Sequence, residues 1–270
     1  MKQYLVGTGV GHFLLQAASF FSLKSISRKN PENASMRANA VLADTLIARL
    51  CPSKGTFVDL GAHIGSVLAA VHHLDKSIRI IAVEADPAKA INLSRRFPYC
   101  TLHSCAIAET PGQIEFYLNP EATGYNSLVK KADGKQEAIS VEVKTLNGLL
   151  RDEKPDLIKI DIEGAELGAL RGGAEVIRTH RPTIMFESTD KNVNSLGYSP
   201  EILWAWFDEM GYGIYVPDRL AHDARPMDLS TFIDGHDYPM RTLNYFAVHE
   251  AKRIEVRDRA RRILDITPAM

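Results

Sequence analysis

Four carboxylates stand where apolar runs end or turn: Asp59 in Phe57-Val58-Asp59-Leu60-Gly61, Glu84 after Ile80-Ile81-Ala82-Val83, Asp161 after Leu157-Ile158-Lys159-Ile160, and Glu187 after Ile184-Met185-Phe186. Acids in such places can accept sugar hydroxyls, hold an ammonium or take a proton from an alcohol. Glu84 falls 19 residues after Gly65, a spacing at which a strand-end acid reaches both hydroxyls of a ribose. Asp161 opens Asp161-Ile162-Glu163-Gly164-Ala165-Glu166, three carboxylates in six residues directly after an apolar strand. The positive end of a following helix accounts for Glu166 more readily than for Asp161. Asp161 is therefore the candidate to orient or deprotonate a hydroxyl, with Glu187, Glu163 and His63 as rivals, although a histidine in such a turn is more often structural. Asp161 and Glu187 at adjacent strand ends also raise the question of a divalent cation, for which a third clear ligand is lacking.

The element that must position these groups is Gly55-Thr56-Phe57-Val58-Asp59-Leu60-Gly61-Ala62-His63-Ile64-Gly65, a buried strand running into a glycine-lined turn and a helix that should begin near His63. Gly61 and Gly65 remove side chains where a ligand can approach the backbone or a helix must start close to a sheet. The spacing Gly-x-x-x-Gly departs from the Gly-x-Gly-x-x-Gly of nicotinamide-binding turns. From this turn onward strands and helices alternate, which predicts an α/β fold with a mostly parallel, doubly wound sheet. Further strands are expected at 79–84, 99–105, 113–118, 141–145, 156–162 and 183–187, with 212–216 and 244–248 as a closing pair. Helices are expected at 36–50, at 87–97, at 166–177 with an interruption at Gly172-Gly173, and at 200–210.

Basic and acidic side chains number 32 and 33 in 270 residues, so no global field draws in nucleic acid. Cys51, Cys100 and Cys105 are odd in number and lack metal-ligand spacing, which favours a reducing, cytoplasmic setting. Residues 3–23 carry no Asp, Glu, Lys or Arg but include three glycines, so a helix packed on the domain or on a partner subunit is preferred to peripheral membrane contact, and both to a cleaved or spanning segment. The chain thus reads as an N-terminal helical extension (1–50), a central domain (51–250) and a basic C-terminal tail (251–270), the last expected as a solvated amphipathic helix.

Val58-Asp59-Leu60-Gly61-Ala62-His63-Ile64-Gly65, Val83-Glu84-Ala85-Asp86-Pro87, Ile158-Lys159-Ile160-Asp161-Ile162-Glu163-Gly164-Ala165-Glu166 and Phe186-Glu187 together resemble the FkbM family of S-adenosylmethionine-dependent methyltransferases. The resemblance covers about residues 55–190, with a looser echo at 244–248. It implies a Rossmann-like class I methyltransferase fold with S-adenosylmethionine as cofactor. Asp59, Gly61, Ala62 and Gly65 would then lie along its methionine side, with His63 also among the cofactor contacts, Glu84 at its ribose, Ala106 beside its adenine and Asp161 nearest the transferred methyl. Asn126 and Ser127, in a polar segment read as a mobile loop, resemble the family's Asn-Ser pair and are substrate candidates together with Glu166. The implied reaction is O-methylation of a hydroxyl on a sugar, glycoconjugate or secondary metabolite. The alternatives are a nicotinamide-dependent oxidoreductase, disfavoured by the glycine spacing, and a non-catalytic cofactor-binding scaffold, disfavoured by the intact acidic cluster.

Overall fold

The computed structural model describes residues 21–118, 137–189 and 196–266. Seven strands form one sheet: β1 (Thr56–Leu60), β2 (Arg79–Glu84), β3 (Thr101–Ser104), β7 (Leu157–Ile160), β8 (Thr183–Glu187), β9 (Tyr212–Tyr215) and β10 (Asn244–His249). The order across the sheet is β3-β2-β1-β7-β8-β10-β9. β3, β2, β1, β7 and β8 run parallel, whereas β10 is antiparallel to both its neighbours. Chain order runs outward from β1 to one side and resumes at β7 on the other. That reversal opens a crevice beyond the carboxyl ends of β1 and β7, where ligands of open parallel sheets bind.

Helices cover both faces: α1 (Ala34–Ile47), α2 (Ser66–Leu74), α3 (Pro87–Arg96), α4 (Leu146–Leu149), α5 (Glu166–Gly172), α6 (Ala174–His180), α7 (Pro200–Glu209), α8 (Leu229–Asp234) and α9 (Arg253–Leu264). Because strand side chains alternate, Val58, Leu60, Ile158, Ile160, Ile184 and Phe186 enter one apolar core, while Phe57, Leu157 and Met185 enter the other. Asp59 and Lys159 are partners in the β1–β7 register and share the face of Phe57 and Leu157.

The doubly wound, mostly parallel sheet matches the sequence expectation, and the break at Gly172-Gly173 divides α5 from α6. Asp86 caps α3 as expected, accepting from the N–H groups of Ala88 at 2.9 Å and Lys89 at 3.3 Å. Four features differ. The segments expected as strands at 113–118 and 141–145 belong to a separate three-stranded sheet, in which β6 (Glu137–Lys144) lies between β4 (Ala106–Ile107) and β5 (Gly112–Leu118). α2 begins at Ser66 rather than near His63, because His63 (φ 50°) and Gly65 (φ 77°) are left-handed and hold the turn open for three more residues. α1, in the presumed N-terminal extension, buries Ala43, Leu46 and Ile47 in the core of the sheet domain, and its Asn39 bridges the carbonyl of Arg241 and the N–H of Asp218. The basic C-terminal segment is docked rather than solvated. α9 buries Val256 and Ala260, Arg253 stacks over Tyr215 at 4.2 Å, and Arg261 donates to the carbonyl of Ala221.

Among the described residues, no helix is long and apolar enough to cross a membrane. Residues 1–20, which hold most of the stretch 3–23 considered for peripheral membrane contact, lie outside the described residues, as do Asn126 and Ser127.

Candidate functional site

A cleft of about 360 Å³ opens at the strand-order reversal. One end is lined by Gly61, His63, Asp161, Ile162, Glu163, Ala165 and Glu187, the other by Val83, Glu84, Ala85, Lys89, Cys105, Ala106, Ile107 and Phe116. Of the candidate residues, Gly61, His63, Glu84, Ala106, Asp161, Glu163 and Glu187 therefore meet in one place.

Glu84 ends β2 almost completely buried and organises the glycine turn. Its Oε2 accepts from the His63 N–H at 2.8 Å and its Oε1 from the Asp86 N–H at 3.0 Å. Burial pushes its carboxyl up, and these two hydrogen bonds with the nearby Lys89 charge oppose the shift. Each oxygen retains acceptor capacity toward the cleft.

Gly61 sits at φ 82°, and a Cβ there would lie 1.9 Å from the Asp161 carbonyl oxygen. The missing side chain thus lets the two strand ends close on each other. Gly65 serves packing instead. A Cβ there would strike the Phe97 ring at 2.2 Å, so its absence seats the turn against the end of α3. Neither Gly65 nor Ala62 lines the cleft, and Asp59 does not either.

Asp59 is 1% exposed, and the Lys159 Nζ lies 3.2 Å from its Oδ1. The same ammonium lies 3.2 Å from Asp161 Oδ2 and donates to the Gly61 carbonyl at 3.5 Å. Burial raises the Asp59 carboxyl against the pull of Lys159. For Lys159, burial disfavours the charge, but two flanking carboxylates more than restore it and its pKa ends above the ordinary value. Asp161 is likewise opposed by burial, yet Lys159 and a hydrogen bond with Glu187 hold it below the usual aspartate value. Glu187 moves the other way, raised first by burial and then by the Asp161 charge. The two carboxyls are thus pushed apart, Asp161 toward its ionised form and Glu187 toward its neutral form.

Glu166 is 7% exposed and absent from the cleft wall. Its Oε1 accepts from the N–H groups of Ile162 at 3.1 Å and Gly164 at 3.3 Å. That clamp secures a turn in which Glu163 (φ 56°) and Gly164 (φ 96°) are both left-handed. Glu166 thus holds the loop that carries Asp161 and Glu163, from the interior rather than from the cleft wall. Burial pushes its carboxyl up to about 7. Glu109, several residues beyond Ala106, forms an ion pair with Arg171 at 3.5 Å and does not line the cleft.

Asp161, Glu163 and Glu187 each offer a carboxylate oxygen, all within 4.8 Å of one another, so Glu163 supplies the third oxygen a divalent cation would need. Lys159 already neutralises part of that charge. Nine lining residues were not among the sequence candidates, of which Leu60, Val83, Ala85, Ile162 and Ala165 lie inside the quoted motifs. Lys89 had only its helical position to mark it, while Cys105, Ile107 and Phe116 arrive on or beside the second sheet.

Residues 59–214 match the model of the methyltransferase FkbM domain. The chain belongs to the FkbM methyltransferase family. The match spans the glycine turn, the β2 acid, the Asp161 motif and β8. "Methyltransferase sdnD" of Sordaria araneosa is 27% identical over 158 residues, covering 45% of this chain and 61% of that protein. A solved methyltransferase FkbM from Methylobacillus flagellatus KT is 18% identical with a TM-score of 0.48, covering 88% of this chain and 60% of that one. A TehB-like S-adenosylmethionine-dependent methyltransferase from Corynebacterium glutamicum is 12% identical with a TM-score of 0.37, covering 75% and 85%. The chain thus spans about three fifths of the length of the first two. Its seven-stranded, mostly parallel sheet is the class I methyltransferase arrangement.

Proposed function

We propose that this FkbM-family protein methylates a hydroxyl of a small molecule or glycan, with S-adenosylmethionine as the donor. The observation that carries this reading is the polarity of the cleft. A buried carboxylate, Glu84, stands at one end for a ribose diol, and the acids Asp161, Glu163 and Glu187 stand at the other, where the donor's ammonium and sulfonium charges would sit. On the Glu84 side, Val83, Ala85, Ala106, Ile107 and Phe116 provide apolar walls for a flat base.

When bound, this donor supplies a methyl group that is electrophilic because it sits on a positive sulfur. The chain's own residues then have to align an acceptor oxygen and exclude water. Asp161, ionised and facing the cleft, can accept the hydroxyl hydrogen bond and take its proton as the new bond forms. Glu187, whose carboxyl is raised toward its neutral form by burial and by the Asp161 charge, restrains that carboxylate from the next strand end. Glu163, on the clamped turn, would add negative charge to the end of the cleft that receives the donor's positive sulfur.

Calorimetric titration with S-adenosylhomocysteine against NAD separates this reading from an oxidoreductase, and transfer of tritiated methyl into a small-molecule cell extract separates it from a scaffold. Binding of S-adenosylhomocysteine with label incorporation is expected; NAD binding alone, or cofactor binding without transfer, would overturn it. Asp161→Asn should lower the rate of label transfer roughly 100-fold or more while S-adenosylhomocysteine affinity stays within a few-fold. A fully active variant removes Asp161 from proton transfer. The proximity of three carboxylates favours a cation-assisted variant as a second reading. Unchanged turnover in excess chelator would eliminate it.

A further inference from the structure

Lys159 is the least expected residue of the inner sheet. It stands in the middle of a strand with Leu157, Ile158 and Ile160 all buried, and is itself only 7% exposed. An apolar side chain of similar volume would fill that position at lower cost, because burying an ammonium is repaid only through well-placed partners. Its partners are three oxygens: Asp59 Oδ1 and Asp161 Oδ2, both at 3.2 Å, and the Gly61 carbonyl at 3.5 Å. The Gly61 carbonyl accepts a hydrogen bond from the ammonium, and the two carboxylates flank it at ion-pair distance. Two of these oxygens belong to residues that line the cleft, Gly61 and Asp161, and the third belongs to the acid behind it. The strand register enforces the arrangement, since Asp59 and Lys159 are paired across β1 and β7 while Asp161 follows two residues on and returns to the same side.

We propose that Lys159 is a positioning residue for methyl transfer, whose ammonium withdraws Asp59 from the cleft and fixes the Asp161 carboxylate at the cleft wall. The charge on Asp59 serves Lys159 rather than the cofactor. Lys159 in turn ties the carboxylate that meets the acceptor to the backbone turn beneath the donor, so donor and base keep a common frame. This inference rests on the methyl-transfer reading and on Asp161 as its base.

The test is a double-mutant cycle between Lys159→Met and Asp161→Asn, read as the initial rate of tritiated methyl transfer into the cell extract, with S-adenosylhomocysteine affinity measured on every variant. Lys159→Met is expected to slow transfer roughly 10- to 100-fold when Asp161 is present and by no more than about 3-fold when it is already asparagine. S-adenosylhomocysteine affinity should change little in either background. Lys159→Met leaves Asp59 buried without its partner, so Asp59→Asn/Lys159→Met repeats the cycle with that charge removed. If Lys159 only supports the fold, its loss slows transfer by the same factor in both backgrounds, and the proposal is overturned. A rate unchanged by either Lys159 variant overturns it as well. If the wild-type protein binds S-adenosylhomocysteine but transfers no label, the reaction reading fails, and this inference with it.

Discussion

At the scale of single residues, two glutamates that look alike in sequence take different posts. Glu84 faces the cleft and also fixes the backbone of the glycine turn, so its truncation removes a ligand contact and a clamp together. Glu84→Ala should weaken S-adenosylhomocysteine binding by roughly 1 to 3 kcal/mol, and unchanged affinity in calorimetry would cancel the ribose assignment. Glu166 clamps the second turn from the interior, with its carboxyl raised to about 7. A carboxyl raised in the folded state binds more protons there than in the unfolded chain between its ordinary value and about pH 7. Its contribution to stability is therefore complete in acid and declines as pH rises through that window. Glu166→Gln keeps an acceptor for the Ile162 and Gly164 N–H groups and removes the proton uptake. The variant should gain on the wild type by roughly 1 to 3 kcal/mol between pH 5 and pH 8; a melting difference independent of pH would show that Glu166 does not titrate there. The sequence marked Glu166 as an acid near a helix start but did not reveal its inward direction, which depends on the left-handed turn at Glu163 and Gly164.

At the scale of elements, the strand–turn–helix unit was readable because β1 is apolar on both faces and its turn carries two glycines. The separate duties of those glycines were not, because each is set by a neighbour distant in sequence: the Asp161 carbonyl for Gly61 and the Phe97 ring for Gly65. A methyl at position 61 would meet backbone and face a left-handed strain as well. Gly61→Ala should therefore cost roughly 2 to 4 kcal/mol in denaturant unfolding and abolish cofactor binding. A methyl at position 65 meets a side chain instead. Part of the stability lost in Gly65→Ala should return when Phe97 is shortened to leucine, and failure of that rescue would place the strain in the backbone alone. The sequence likewise marked 113–118 and 141–145 as strands without showing that they pair with each other in a second sheet, since a strand's own residues do not name the partner across it.

At the scale of the whole molecule, the parallel, doubly wound character of the sheet could be anticipated from alternating elements, whereas the attachment of the two ends could not. α1 is mostly apolar and α9 mostly charged, yet both join the core beside α2. Deleting residues 253–270 would expose the surface around Tyr215, Leu220 and Ala221 that Val256, Ala260, Arg253 and Arg261 now cover. The melting temperature should fall by roughly 5 to 10 °C, and an unaltered melt would mean that the helix adds nothing to the fold. Most of the candidate site was legible because strand ends announce themselves, but Lys159 was not, because its partner Asp59 is 100 residues away. Their side-by-side register has a consequence for descent. A change at position 159 alone strands a buried acid, and a change at position 59 alone leaves the ammonium one carboxylate short. The two positions should therefore drift through the family as a unit, and relatives that lack a basic residue at one should have given up the acid at the other.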